Sequence, residues 1–137
     1  MKRIIPVLIL ALLGCACSQE SAPFVASDVV VSKPIPGMDM AAGYLTLRNN
    51  TAQPIIISHV ASPQFESVEM HESVIEDGMA RMYALGEMTI LAKSSVVFQP
   101  GGKHLMLMRP IGDFDAVTLD FYAGKAVILT VNVALTE

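Results

Sequence analysis

From Phe24 onward the chain is a succession of short apolar or alternating runs, each closed by a turn signal. No stretch keeps an i, i+3, i+4, i+7 apolar stripe for three turns, so helices are not what this pattern builds. The runs are rich in Val, Ile, Thr and aromatic residues: Phe24–Ser32, Gly43–Arg48, Ile55–Ala61, Phe65–Ser73, Met79–Leu85, Ser94–Gln99, His104–Arg109, Val117–Tyr122 and Val127–Leu135. Between them lie Pro34-Ile35-Pro36-Gly37, Asn49-Asn50-Thr51, Ser62-Pro63, Glu76-Asp77-Gly78, Pro100-Gly101-Gly102, Gly112-Asp113 and Ala123-Gly124-Lys125, all turn formers. Many short strands at nearly regular spacing predict an all-β fold, a Greek-key sandwich or barrel.

The segment before Phe24 has a different composition. Lys2 and Arg3 precede an apolar run from Ile4 to Leu13 that is interrupted by Pro6. It is too short to span a bilayer as a helix and reads as a secretory signal over residues 1–14. The signal ends in Leu12-Leu13-Gly14-Cys15, which resembles the lipobox of bacterial lipoproteins, where the cysteine is diacylated and becomes the mature N-terminus. Leu13 is bulkier than the small residue usual at its place, and cleavage after Ala16 or Ser18 by the ordinary route is the alternative. Residues 15–23 then form a tether, small and polar from Ser18 to Pro23, and residues 24–137 form the domain.

Both cysteines, Cys15 and Cys17, sit at this junction, so neither can staple the domain and its stability must come from an apolar core. Without Lys2 and Arg3 of the leader, nine basic residues become seven against 13 acidic ones, a net charge of −6. A domain this acidic is a poor nucleic-acid binder.

Two histidines and two methionines carry the chemistry. Ten residues separate His71 from Met82, twenty-one separate Met82 from His104, and one separates His104 from Met106. Thioether sulfur is a soft ligand and imidazole a borderline one, so a Met/His set suits Cu(I) far better than the oxygen-seeking Mg, Ca or Mn. With no cysteine nearby, zinc fingers, iron–sulfur clusters and blue-copper electron transfer are disfavoured. His71 and Met82 flank Glu76-Asp77-Gly78, a hairpin signal. An even-numbered loop puts them on one face: directly opposite if Glu76-Asp77 turns, diagonal if Asp77-Gly78 does. An odd-numbered loop separates them. His104 and Met106, two apart on one strand, share a face, and Met108 continues it as a spare ligand or a core or rim residue.

Packing competes with this reading, because methionine is a common gap-filler and the chain has nine. Met38, Met40, Met70, Met79, Met88 and Met108 have no spacing argument and are expected to pack; His59 is expected to be hydrogen-bonded or half-exposed. Glu66, Glu69, Glu72, Glu76 and Asp77 around His71 either favour cation approach and docking on a basic partner or form a solvated strand face.

The combination resembles the periplasmic copper chaperones called PCu(A)C, whose signature is a histidine, ten residues, a methionine, twenty-one residues, then His-x-Met. Met70-His71 through Met82 to Gln99-Pro100-Gly101-Gly102-Lys103-His104-Leu105-Met106-Leu107-Met108 matches without a gap, and Ala42-Gly43-Tyr44-Leu45-Thr46-Leu47-Arg48-Asn49 is also similar to the family. The resemblance implies a cupredoxin-like or immunoglobulin-like sandwich holding one Cu(I) through His71, Met82, His104 and Met106. It further implies a monomeric carrier delivering copper in the periplasm to an acceptor protein, in several members the binuclear copper centre of cytochrome c oxidase. Some members carry a His/Met-rich C-terminal tail that assists a second, Cu(II) site; Val131–Glu137 has no such composition. Lipidation of Cys15 adds a membrane anchor on the periplasmic side, and Ala16, which is no acidic retention signal, points to the outer membrane.

Two other classes stand beside a non-catalytic carrier. A copper oxidoreductase needs an open redox site and usually more nitrogen ligands, and no paired-carboxylate or Ser/His/Asp arrangement is evident. A structural or adhesive envelope sandwich would keep its methionines in the core.

Overall fold

The computed structural model describes residues 21–34 and 36–136. The leader, Cys15 and Cys17 lie outside these residues, and so does most of the tether. The described chain is eleven strands without a helix: β1 (Phe24–Ser32), β2 (Met40–Asn49), β3 (Ile55–Ile57), β4 (His59–Ala61), β5 (Phe65–Glu76), β6 (Met79–Ala84), β7 (Met88–Ile90), β8 (Ser95–Phe98), β9 (Lys103–Pro110), β10 (Ala116–Ala123) and β11 (Ala126–Thr136).

Seven of them close on themselves in the order β1-β11-β10-β4-β5-β9-β2 and back to β1. The barrel is mixed: β1 runs parallel to β11, with Val31 beside Leu135, and the other pairings are antiparallel. Closure removes the sheet edges that would otherwise be left unpaired. The all-β expectation is met, in its barrel form.

Alternation along the strands decides what fills the barrel. On β2, Ala41, Leu45 and Leu47 are buried; on β9 Leu105 and Leu107, on β5 Val68 and Met70, and on β10 Val117, Leu119 and Phe121 join them. Successive side chains point to opposite sides of a strand, so one face of each is core and the other is free for chemistry. Gly43 stands in the buried series of β2, and a Cβ there would meet Leu105 Cβ at 3.2 Å and Leu107 Cδ1 at 3.3 Å. Its bare backbone lets β9 close tightly against β2.

β2 changes partners halfway. Met40–Gly43 pair with β9, whereas Leu45–Arg48 pair with β8. The turn joining β8 to β9 therefore falls at mid-height of the barrel, closed by Gln99 N–H to Lys103 O at 2.7 Å and Gly102 N–H to Gln99 O at 3.0 Å. On its other flank, β5 outruns the barrel and pairs with β6.

Beyond shifts of up to three residues at strand ends, the elements differ from the sequence reading at two places. Ile55–Ala61 is two strands, split at Ser58, because Ile55–Ile57 pair with β7 while Val60 pairs with β5 and β10. Strand β7 was not legible, since three residues are too few to show a period. The small β3–β7 sheet is tied to the end of β2 by Asn49, which is wholly buried. Its Nδ2 donates to Gln53 O at 2.7 Å, Ile90 O at 3.1 Å and Leu91 O at 3.2 Å, and its Oδ1 accepts from Thr51 N–H at 2.9 Å and Thr51 Oγ1 at 2.7 Å.

Truncating Asn49 leaves buried carbonyls without donors, at about 1–3 kcal/mol for each group that water cannot reach. Asn49→Ala is expected to lower the unfolding free energy by about 2–4 kcal/mol in urea denaturation. A loss below about 0.5 kcal/mol would show that the polar knot is not structural.

Candidate metal centre

The β5–β6 hairpin turns on Asp77-Gly78, both with positive φ (50° and 75°), as a two-residue type I′ turn requires. Glu76 pairs with Met79, and the register then sets Ser73 opposite Met82 and His71 opposite Ala84. Of the two even-loop alternatives the diagonal one is realised, with His71 and Met82 on a common face.

Across β5 the ladder to β9 places His71 opposite His104 and Glu69 opposite Met106. Since Met70, Leu105 and Leu107 point into the core, His71, His104 and Met106 point away from it, on the side that Met82 also occupies. All four sequence-selected residues therefore share the outer face, at the mid-height notch where β9 begins and β5 leaves the barrel. The two imidazole rings are 5.9 Å apart between centroids and tilted by 52°.

Despite its outward direction His104 is only 7% exposed. It forms one wall of a cavity of about 300 Å³ whose lining includes Ser73, Met82, Gly101, Met106, Met38 and Met40.

Hydrogen bonds fix which nitrogen of each ring carries a proton. His71 Nε2 lies 2.8 Å from Glu69 Oε2, and a carboxylate accepts, so Nε2–H donates. That leaves the lone pair on Nδ1, which is buried and has no hydrogen-bond partner. His104 Nδ1 lies 3.1 Å from Gly102 O, so its Nδ1–H donates and its lone pair is on Nε2. This is the pattern of metal-binding histidines, in which one nitrogen is oriented by an oxygen and the other is left for the ion.

A soft cation fits what is present. Metal–imidazole bonds of about 2 Å put two rings sharing one ion roughly 6 Å apart between centroids. An orphaned buried Nδ1 otherwise goes uncompensated. Among the described residues no three His, Cys, Asp or Glu side chains gather as a metal site, so an ion held here draws on thioether sulfur.

Three of the five acidic residues are ion-paired: Glu72 with Lys103 at 2.8 Å, Glu76 with Arg81 at 3.3 Å, and Glu66 with Arg109, while Glu69 accepts from the neutral ring of His71. That fits a solvated strand face better than a funnel for cations. The methionines divide: Met70 and Met88 are core as expected, but Met38, Met40 and Met79 are exposed and do not pack. His59 is exposed and stacked on Tyr122 at 4.3 Å.

Opposite tautomers are the direct test of this geometry. Long-range ¹H–¹⁵N correlation of the metal-free protein at neutral pH is expected to show the Nε2–H form for His71 and the Nδ1–H form for His104. Glu69→Gln should shift the balance at His71 and leave His104 unchanged. Identical tautomers at both rings would contradict the hydrogen-bond assignment.

Comparison with known proteins places the domain. The family model LpqE-like, described as "Putative lipoprotein LpqE-like", matches residues 24–134. The protein "Putative lipoprotein Lxx21020" of Leifsonia xyli is 31% identical over 134 residues, covering 88% of this chain and 81% of that protein. Among solved structures, the copper-bound PCuAC domain from PmoF2 superposes with a TM-score of 0.67 at 20% identity, covering 83% of this chain and 92% of that domain. The solution structure of CuI-DR1885 from Deinococcus radiodurans gives 0.66 at 26% identity, covering 87% and 82%. The chain belongs to the LpqE-like family, and its barrel is the fold of the PCuAC domains.

Proposed function

We propose that the protein is a Cu(I) carrier of the bacterial envelope, without catalysis of its own, that holds one ion between His71, Met82, His104 and Met106. The observation that carries this reading is the common outer face: two ladders and one type I′ turn bring four residues, spread over 36 positions of sequence, to one notch. Two neutral imidazoles and two thioethers match Cu(I), which prefers soft donors. Copper-bound relatives of the same fold support the choice of metal.

The finer parts of the reading rest on the sequence. Residues 1–14 act as a lipoprotein signal, Cys15 becomes the lipidated N-terminus, and 15–23 tether the domain on the periplasmic side, at the outer membrane. Relatives named as lipoproteins support the anchor. The acceptor is a copper protein of the same compartment, with the copper centre of cytochrome c oxidase or an assembly factor that feeds it as the partner the resemblance implies. Nucleic acid is no partner for so acidic a domain.

Competition against a Cu(I)-specific chelator is expected to show one tightly held equivalent and far weaker Zn(II) binding. Met106→Leu keeps the volume but removes the sulfur, and should weaken Cu(I) by tenfold or more, about 1.4 kcal/mol. Met88→Leu, in the core, should leave binding unchanged. Equal zinc affinity, or no retention of Cu(I), would remove the carrier reading.

Lipidation is tested separately. The full-length protein produced in bacteria should incorporate a fatty-acid analogue and partition with membranes, and Cys15→Ser should abolish the label. An unlabelled, soluble wild-type protein would overturn the anchor while leaving the metal site standing.

A further inference from the structure

The cavity beside His104 extends past the four residues assigned above. Strand β2 contributes Met40, Ala42 and Tyr44 to its lining, and the β1–β2 connection contributes Met38. Met40 is the ladder partner of Met108 and Ala42 that of Met106, so the outer faces of β2 and β9 are continuous here. Ala42 is small and leaves room opposite Met106. The result is a trench running from Met82 over His104 and Met106 to Met40 and Met38 at the rim of the barrel.

Met38 and Met40 are 48% and 41% exposed. Packing does not account for them, since burial is what makes methionine useful in a core and neither is buried. What they share with Met82 and Met106 is a thioether side chain and a place in the lining of one cavity of about 300 Å³. Thioethers are neutral and soft, and a pair of them without an imidazole binds Cu(I) more weakly than a mixed set while still excluding hard cations.

We propose that Met38 and Met40 form a second, sulfur-only position for Cu(I), next to the His/Met site and nearer the barrel rim, through which the ion enters and leaves. This rests on the carrier reading and goes beyond it, because a carrier whose ligands are partly buried needs a path by which ligands can be exchanged one at a time. The neighbouring oxygens of Ser32 and Tyr44 in the same lining are hard donors and are not asked to ligate.

The test uses the mature protein with ¹³C-methyl methionine, titrated with Cu(I) under argon and, as a redox-inert probe, with Ag(I). The first equivalent should shift the methyls of Met82 and Met106, and the second those of Met38 and Met40. The double variant Met38→Leu, Met40→Leu keeps apolar bulk at both places. It should hold the first equivalent with affinity within twofold of wild type, lose the second, and release the first to a chelator about tenfold more slowly. Unmoved methyls at Met38 and Met40, or shifts there already complete with the first equivalent, would overturn the separate position. An unchanged release rate in the double variant would overturn its role as the path. If the first equivalent leaves Met82 and Met106 unmoved, it is the His/Met site, and with it the carrier reading, that fails.

Discussion

The register of β5 against β9 is the constraint on which the outer face depends. It sets His71 against His104 and Glu69 against Met106 while turning Met70, Leu105 and Leu107 inward. Because strand side chains alternate with a period of two, a slip of one residue would send the imidazoles into the core and Leu105 into the notch. Such a slip is blocked by the core itself, since Leu105 and Leu107 are wholly buried and could not be exchanged for His104 and Met106 without exposing apolar area at about 25 cal/mol per Å². The same hydrophobic alternation that builds the barrel therefore fixes the order of the polar face.

A second register, that of β5 with β6, brings in Met82. Here little is buried: all six residues of β6 are exposed. The turn has to do what the core does elsewhere. Asp77 and Gly78 both adopt positive φ, which selects a two-residue loop and hence a common face for His71 and Met82. Ion pairing of Glu76 with Arg81 and the Tyr83 hydroxyl bond to Glu76 at 2.9 Å hold the tip together. Met82 is thus placed by a local turn on an exposed strand, whereas the histidines are placed by the barrel.

This difference explains what could be read in advance. Six of the seven barrel strands were legible because they are long enough to alternate, whereas the three-residue β4 was merged with β3, and His104 with Met106 shared a face by arithmetic alone. Whether His71 joined Met82 depended on loop length, which Glu76-Asp77-Gly78 left open between two even choices and one odd. The meeting of β5 with β9 was not legible, since thirty residues separate Glu72 from Lys103 and nothing local encodes their pairing. Glu69, two residues from His71 on an expected strand, shared its face by the same arithmetic, but that its carboxylate would hold the ring nitrogen was not legible. Met38 and Met40 were assigned to packing because sequence gives no sign that the β1–β2 connection opens onto the notch.

Exposure across the notch is graded. His104 is 7% exposed, whereas Met82 is half exposed. Each ring is oriented by an oxygen, so little freedom is left to lose when it takes an ion. Met82 is a long side chain that is half exposed, and ordering such a side chain costs about 1.5–2 kcal/mol of rotamer entropy. For a carrier, this makes the histidines the permanent part of the grip and the exposed thioether the replaceable one. Under the proposed ligand set, Met82 is the bond that an incoming soft ligand, Met38 or Met40 included, would replace first, with two nitrogens and Met106 still in place. Exchange of that kind would avoid a bare Cu(I) in water and would move no proton, because a thioether has none to lose.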